Sequence, residues 1–283
     1  MEWYDDIEDV LPQRSWSKSG APLYASNENQ LDQDYLFWGD SIFPAGGIGI
    51  ALGQRGLKGW KDFDSYLLQT REEYFDSKRV EAGPSPVRLN TGDYLFLYNS
   101  ARGGYHSVKP DWDLQYNIGY AILARHRPTQ VLQRSDDPIM SPTLEWEIGN
   151  SPTYLTPNVV YLGGLIPDPD GCQYVDVTGL LGKEYIENAE CFFGVYGAAD
   201  SSLGAVRIVV SSNASIPHSS TTPSSTTPTT TNSPIIVPTT TSTASEAPVT
   251  FTSQTPSSPT ATENNANTKV LSFVLLFIVG FLN

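Results

Sequence analysis

The side chains best placed to do chemistry are acids and amides set beside glycine, proline and aromatic residues. Glu81 precedes Gly83-Pro84-Ser85-Pro86, a rigid turn able to aim its carboxylate as a base; a solvated loop acid is the alternative. Arg79 and Lys78 stand beside it and either bind an anion or pair with Asp76 and Glu81. Asp40, Asn99 and Asp200 each close an aromatic run, where they either hold a polar ligand or cap a turn. Metal chemistry finds no support, because the sequence contains no HExxH, CxxC or EF-hand pattern. No phosphate-binding or dinucleotide fingerprint occurs either, and Gly46-Gly47-Ile48-Gly49 is too short to count as one. No cofactor is predicted.

The elements that must position these groups read as strands. Apolar residues alternate or cluster in short β-branched and aromatic stretches, broken by Gly, Pro, Asn and Asp. One pattern recurs three times. Asp34-Tyr-Leu-Phe-Trp-Gly-Asp40 leads to Gly47-Ile-Gly-Ile-Ala51, Asp93-Tyr-Leu-Phe-Leu-Tyr-Asn-Ser100 to Ile118-Gly-Tyr-Ala121, and Cys191-Phe-Phe-Gly-Val-Tyr-Gly-Ala-Ala-Asp200 to Leu203-Gly-Ala-Val206. Such a hairpin suggests a β-propeller blade. The fold class is therefore all-β, about three blades, with a plain antiparallel sandwich as the alternative. The small residues of the second strand are expected to allow close packing near an axis. The loops after the first strand are expected to gather Asp40, Asn99 and Asp200 at one mouth.

Composition divides the chain further. The net charge is −14, which excludes a phosphate-contacting nucleic-acid surface. From Ser211 to Thr260, 36 of 50 residues are Ser, Thr or Pro, a composition that cannot build a core and reads as a disordered, O-glycosylated stalk. The expected organisation is a globular part over 1–217, a stalk over 218–263 and an attachment signal over 264–283. Val270 to Leu282 is a short apolar run behind small residues, the pattern of a GPI signal with its site at Asn264-Asn265-Ala266 or in the rival window Ser257 to Ala261; a frayed apolar tail or a short tail anchor is the alternative. Asn213-Ala214-Ser215 is a glycosylation sequon. A cell-surface location through a GPI anchor follows, and it requires a signal peptide that MEWYDDIEDVLPQRSW lacks; N-terminal sequence is expected to be missing. Cys172 and Cys191 either form a disulfide, worth about 3 kcal/mol for a loop of this size, or are separate core thiols.

Several runs in order resemble glycoside hydrolase family 130. These are Tyr74-Phe-Asp-Ser-Lys-Arg-Val-Glu-Ala-Gly-Pro-Ser-Pro86 with Gly92-Asp-Tyr-Leu-Phe-Leu-Tyr-Asn-Ser-Ala101, then Gly119-Tyr-Ala-Ile-Leu-Ala124 with Val131-Leu-Gln-Arg-Ser-Asp-Asp-Pro-Ile139. Pro157-Asn-Val-Val-Tyr161 with Gly163-Gly164, and Tyr196-Gly-Ala-Ala-Asp200, follow. The resemblance implies a five-bladed propeller acting on β-mannosides, of which this chain carries about three blades, with Trp16 to Trp60 an internal one. It implies that Asp200 holds sugar at the central pocket, and that Glu147 and Asn158 lie near the pocket wall. The family's proton donor lies in a Glu-Asp-Pro-Arg-like motif, which this sequence lacks; Glu8-Asp9-Val10-Leu11-Pro12 does not match it. Tyr98-Asn99 stands where the phosphorylases have Tyr-His, so hydrolysis is favoured over phosphorolysis. Glu81 is then the candidate base, with Asp40, Asn99 and Arg79 as further substrate contacts. A non-catalytic carbohydrate-binding or surface-coat protein is the other reading.

Overall fold

A computed structural model describes residues 11, 18–39, 46–103, 114–149, 154–172, 189–212, 239–242 and 271–279. The chain divides into two units, Met1–Ile166 with Gly194–Gly204, and Pro167–Phe193 with Ala205–Asn283. Asp40, Asn213 and Asn264 lie outside the described residues.

Among the described residues the secondary structure is almost wholly strand, in three sheets. Strands β1 (Lys18–Leu23), β2 (Asp34–Gly39), β3 (Gly47–Gln54) and β4 (Lys58–Gln69) form the first, in sequence order and antiparallel. The second holds β5 (Arg79–Ala82), β7 (Tyr94–Gly103), β8 (Leu114–Ala124) and β9 (Arg127–Arg134), again in sequence order, with the short β6 (Val87–Arg88) beside β7. A single helical turn, α1 (Glu145–Ile148), precedes the third. That sheet runs β10 (Val160–Pro167), β11 (Ala189–Ala198), β12 (Ser202–Ser212), β14 (Leu271–Val279) and β13 (Thr239–Ser242). Leu271–Val279, within the apolar run near the C-terminus, is thus extended backbone, antiparallel to β12, with β13 parallel to it. No helix among the described residues is long and apolar enough to cross a membrane.

In the first unit the core lies between the first two sheets. Alternation sends Tyr35 and Phe37 of β2, with Ile48 and Ile50 of β3, to one face, where they meet Tyr94, Phe96 and Tyr98 of β7. The Phe37 and Phe96 rings sit 5.3 Å apart, and fully burying each such side chain is worth roughly 1.5–3 kcal/mol. Leu36 and Trp38 point the other way, into a smaller cluster with Leu11, Ala51 and Trp60. β7 is buried from Tyr94 through Ala101, which explains its nearly continuous apolar sequence.

The glycines of the repeated hairpin have a local task. They make room for the aromatic ring of the preceding strand. Gly49 stands directly opposite Trp38, and Gly119 opposite Tyr98. A Cβ on Gly49 would meet the Trp38 ring at 2.5 Å, one on Gly119 the Tyr98 ring at 2.6 Å, and one on Gly204 the Tyr196 ring at 2.5 Å. The repeat is therefore a cross-strand ring-over-glycine pair, present in each sheet; in the first sheet Tyr66 covers Gly47 and Trp60 covers Gly53 in the same way.

In the second unit, Cys172 and Cys191 form a disulfide. Beside it the Asp168 carboxylate pairs with the Arg207 guanidinium at 2.7 Å.

Candidate functional site

The first corner of the site is built around Asn158. It has a φ of 62° and is 6% exposed. Asparagine tolerates this left-handed conformation better than most residues. Its backbone is fixed on both sides: its N–H donates to the Ile148 carbonyl at 3.1 Å, and its carbonyl accepts from Tyr116 N–H at 2.9 Å. Its side-chain oxygen Oδ1 is buried and has no hydrogen-bond partner. A buried acceptor left unpaired costs about 1–3 kcal/mol, so a ligand donor reaching it would recover that free energy.

The turn between β11 and β12 closes on the same segment. Ala199 N–H donates to the Val159 carbonyl at 3.0 Å, and Thr156 N–H to the Ala199 carbonyl at 3.3 Å. These two bonds bracket Asn158 in sequence. Ala199 and Asp200 have φ of 47° and 50°, which turns the hairpin sharply and leaves Asp200 exposed at its tip. Glu147 supports the corner from beneath. It is 1% exposed, and its Oε2 accepts from Thr143 and Leu144 N–H at 2.8 and 3.0 Å, capping α1. Its Oε1 accepts from the Tyr196 hydroxyl at 2.7 Å. Burial, then the Glu147 charge, holds the Tyr196 pKa far above the ordinary tyrosine value, so that hydroxyl keeps its proton.

The second corner is on β5. Glu81 is 2% exposed and accepts from the Arg79 guanidinium at 3.0 Å. Glu81 faces Asn99 across the β5–β7 ladder. Asn99 lies inside β7, two residues short of where the buried run ends, and not at a loop tip. Its amide reaches β10 and acts as a substitute strand edge: Nδ2 donates to the Leu162 carbonyl at 3.1 Å and Oδ1 accepts from Leu162 N–H at 2.7 Å. Leu162 is four residues from Asn158, roughly 13 Å along an extended chain. β10 thus connects the two corners. Gly39, the last residue of β2, also closes on Glu81; a Cβ there would lie 3.0 Å from the Glu81 Cα.

The structure therefore brings together Asn158, Asp200 and Glu147 in one corner, and Glu81, Arg79 and Asn99 in the other. Of the alternatives open for Arg79, pairing with Glu81 is the one observed. Asp76 is held elsewhere, by Arg71 at 2.9 Å, Arg134 at 2.6 Å and the Tyr98 hydroxyl at 2.8 Å. That buried network was not legible in sequence, since Arg71 and Arg134 lie on different elements. A second missed contact is the hydroxyl pair of Ser19 and Tyr161, 2.8 Å apart, which ties β1 to β10. Ser19 is the extra residue of a bulge and has a φ of 56°; a serine carries no sequence sign of that conformation. Among the described residues no cluster of His, Cys, Asp or Glu is arranged to hold a metal ion.

No family model matches the chain. Curated relatives do. A β-1,2-mannobiose phosphorylase of Thermoanaerobacter sp. (strain X514) is 27% identical over 141 residues, 50% of this chain and 35% of that protein. A 1,2-β-oligomannan phosphorylase of the same organism is 31% identical over 108 residues, 38% of this chain and 31% of that protein. The chain spans about a third of the length of these two relatives. Among solved structures, a candidate glycosidase from Bacteroides thetaiotaomicron is 19% identical with a TM-score of 0.50, covering 68% of this chain and 50% of that one; the likeness is one of fold. The β-1,2-mannobiose phosphorylase of Listeria innocua, in complex with β-1,2-mannobiose, is 23% identical with a TM-score of 0.49, covering 68% and 44%. Over about half of its length, the chain is similar to the β-1,2-mannoside phosphorylases of glycoside hydrolase family 130.

Proposed function

We propose that the protein binds β-mannosides in a cleft walled by β5, β10 and the β11–β12 turn, and that the protein to which this chain belongs cleaves them by hydrolysis. The three sheets are read as blades of a five-bladed propeller. The observation that carries this reading is Asn158: a buried, unpaired acceptor in left-handed backbone, bracketed by the bonds that hold the Asp200 turn. A sugar hydroxyl supplies the missing donor, and the Asp200 carboxylate accepts from a second. Hydrolysis is favoured over phosphorolysis because Asn99, where the relatives' phosphorylases are expected to have histidine, spends both ends of its amide on Leu162. Inverting cleavage needs an acid and a base on opposite sides of the bond, roughly 6.5–9.5 Å apart; Glu81 is the base in this scheme. The test is incubation of the full-length protein with β-1,2-mannobiose, with and without phosphate. Free mannose at equal rates in both buffers supports the reading, whereas mannose 1-phosphate formed only with phosphate contradicts it.

A second reading, a carbohydrate-binding protein without turnover, draws on the burial of Glu81 and its pairing to Arg79, which disfavour a base. Binding of the disaccharide with no product in either buffer would select it.

The location proposed is the cell surface, on a stalk with a GPI anchor. The Cys172–Cys191 disulfide supports passage through an oxidising compartment, and the sequon and the Ser/Thr/Pro segment agree with it. Release of the protein from intact cells by phosphatidylinositol-specific phospholipase C is the expected outcome; full retention on the cells would oppose it.

A further inference from the structure

The first unit carries a cavity of about 240 Å³ whose lining includes none of the residues of the two corners. It lies between the residues that follow β1 and those that follow β5, and reaches Tyr94 at the start of β7. Tyr94 and Asn99 are five residues apart on that strand, roughly 17 Å, so the cavity is at the opposite end of the sheet from the cleft. Pro22, the half-exposed ring of Tyr24 and Pro86 give it flat apolar surface. Ser26, Ser85, Glu28 and Arg88 supply hydroxyl and charged groups. The walls are fixed: Arg88 donates to the Glu28 carbonyl at 3.0 Å, and Asn29 donates to the Tyr24 carbonyl at 2.6 Å.

One group in the wall is chemically unfinished. Tyr94 is 2% exposed, and its hydroxyl proton meets no acceptor, the Asn29 amide acting toward it only as a donor. Asn29 cannot take the proton, because its Oδ1 already accepts from Ser26 and Leu31 N–H at 2.8 and 3.2 Å. Burial keeps the Tyr94 pKa above the ordinary value, so the proton stays available.

We propose that this cavity is a second, non-catalytic saccharide site that takes one neutral hexose residue. The opposite charges of Glu28 and Arg88 favour an uncharged ligand over an anion or a cation. An aromatic ring and two prolines suit the C–H face of a sugar, and hydroxyls with a carboxylate and a guanidinium suit its rim. A proline-rich peptide is the other ligand that aromatic and proline surface attracts, but it needs an extended groove; a cavity of this volume with one exposed ring fits a single ring. The inference stands apart from the proposed catalytic cleft.

The test uses the full chain and methyl glycosides of mannose, glucose and galactose, followed by saturation-transfer NMR and titration. Asn158→Ala with Asp200→Asn silences the cleft. In that background at least one glycoside should still bind, and adding Tyr24→Ala should weaken it about tenfold. Tyr94→Phe should weaken it severalfold while leaving the thermal midpoint little changed, since the lost hydroxyl proton had no acceptor. The proposal is overturned if no glycoside binds in the cleft-silenced chain, or if neither tyrosine variant changes its affinity. A synthetic peptide of residues 218–240 that displaces the glycoside, and is itself lost with Tyr24→Ala, would overturn it in favour of peptide recognition.

Discussion

Glu147 and Asp76 are buried carboxylates that differ in how their charge is held. Glu147 relies on hydrogen bonds from Tyr196, Thr143 and Leu144. Asp76 relies on two guanidiniums and the Tyr98 hydroxyl. Tyr196→Phe removes one donor from a buried charge and should cost about 1.5–3 kcal/mol in urea denaturation; a loss under about 0.5 kcal/mol would show that the bond is not made in solution. Asp76→Asn leaves Arg71 and Arg134 without their counter-ion, and a cost of about 3–5 kcal/mol is expected. The buried tyrosines also set a pH limit. Burial, the largest cause in each case, raises the pKa of Tyr98, Tyr120 and Tyr196, with Tyr120 reaching about 12. A pKa raised on folding means stability that is complete below the unfolded value near 10 and is lost as pH rises through the folded value. For Tyr120 the window is about pH 10 to 12, where it contributes a fall of about 1.4 kcal/mol per pH unit. Denaturation midpoints at pH 9 and 11 check this; equal midpoints would contradict it.

At the scale of elements, the ring-over-glycine pair is what repeats. Gly119→Ala forces a methyl group into Tyr98 and Phe75, and Gly204→Ala forces one into Tyr196 and Trp146. Each should destabilise by about 1–3 kcal/mol through overpacking, measured by thermal unfolding; a variant with an unchanged midpoint would mean the rings can move aside. The strands and their hairpins were legible in the sequence because aromatic runs followed by glycine are a local pattern. The purpose of the glycine was not, because it depends on the residue opposite and not on the one beside it. Asn99 illustrates the same boundary. Its place at the end of an aromatic run suggested a loop tip, yet β7 continues through Gly103, and the amide is consumed by β10, a strand more than fifty residues later. Asn158 was found by resemblance alone; its left-handed backbone and unpaired oxygen are visible only once the chain is folded.

For the whole molecule, the stabilising contribution of the disulfide belongs to the second unit. Cys172 and Cys191 are 19 residues apart, and closing a loop of that length stabilises by about 3 kcal/mol on the chain-entropy estimate. Cys172→Ser with Cys191→Ser should lower stability by about 2–4 kcal/mol in denaturant, and an unchanged midpoint would remove the disulfide from the account. The sequence placed both cysteines but left their pairing open, since pairing depends on distance in the fold. Asn158 and the Asp200 turn together are the proposed β-mannoside site. It is tested most directly by titrating β-1,2-mannobiose into the protein and into Asp200→Asn and Asn158→Ala variants by calorimetry. Asp200→Asn is chosen because asparagine tolerates the positive φ. Saturable binding by the unaltered protein is expected, with a loss of at least about tenfold in each folded variant. Equal affinity in all three would contradict it.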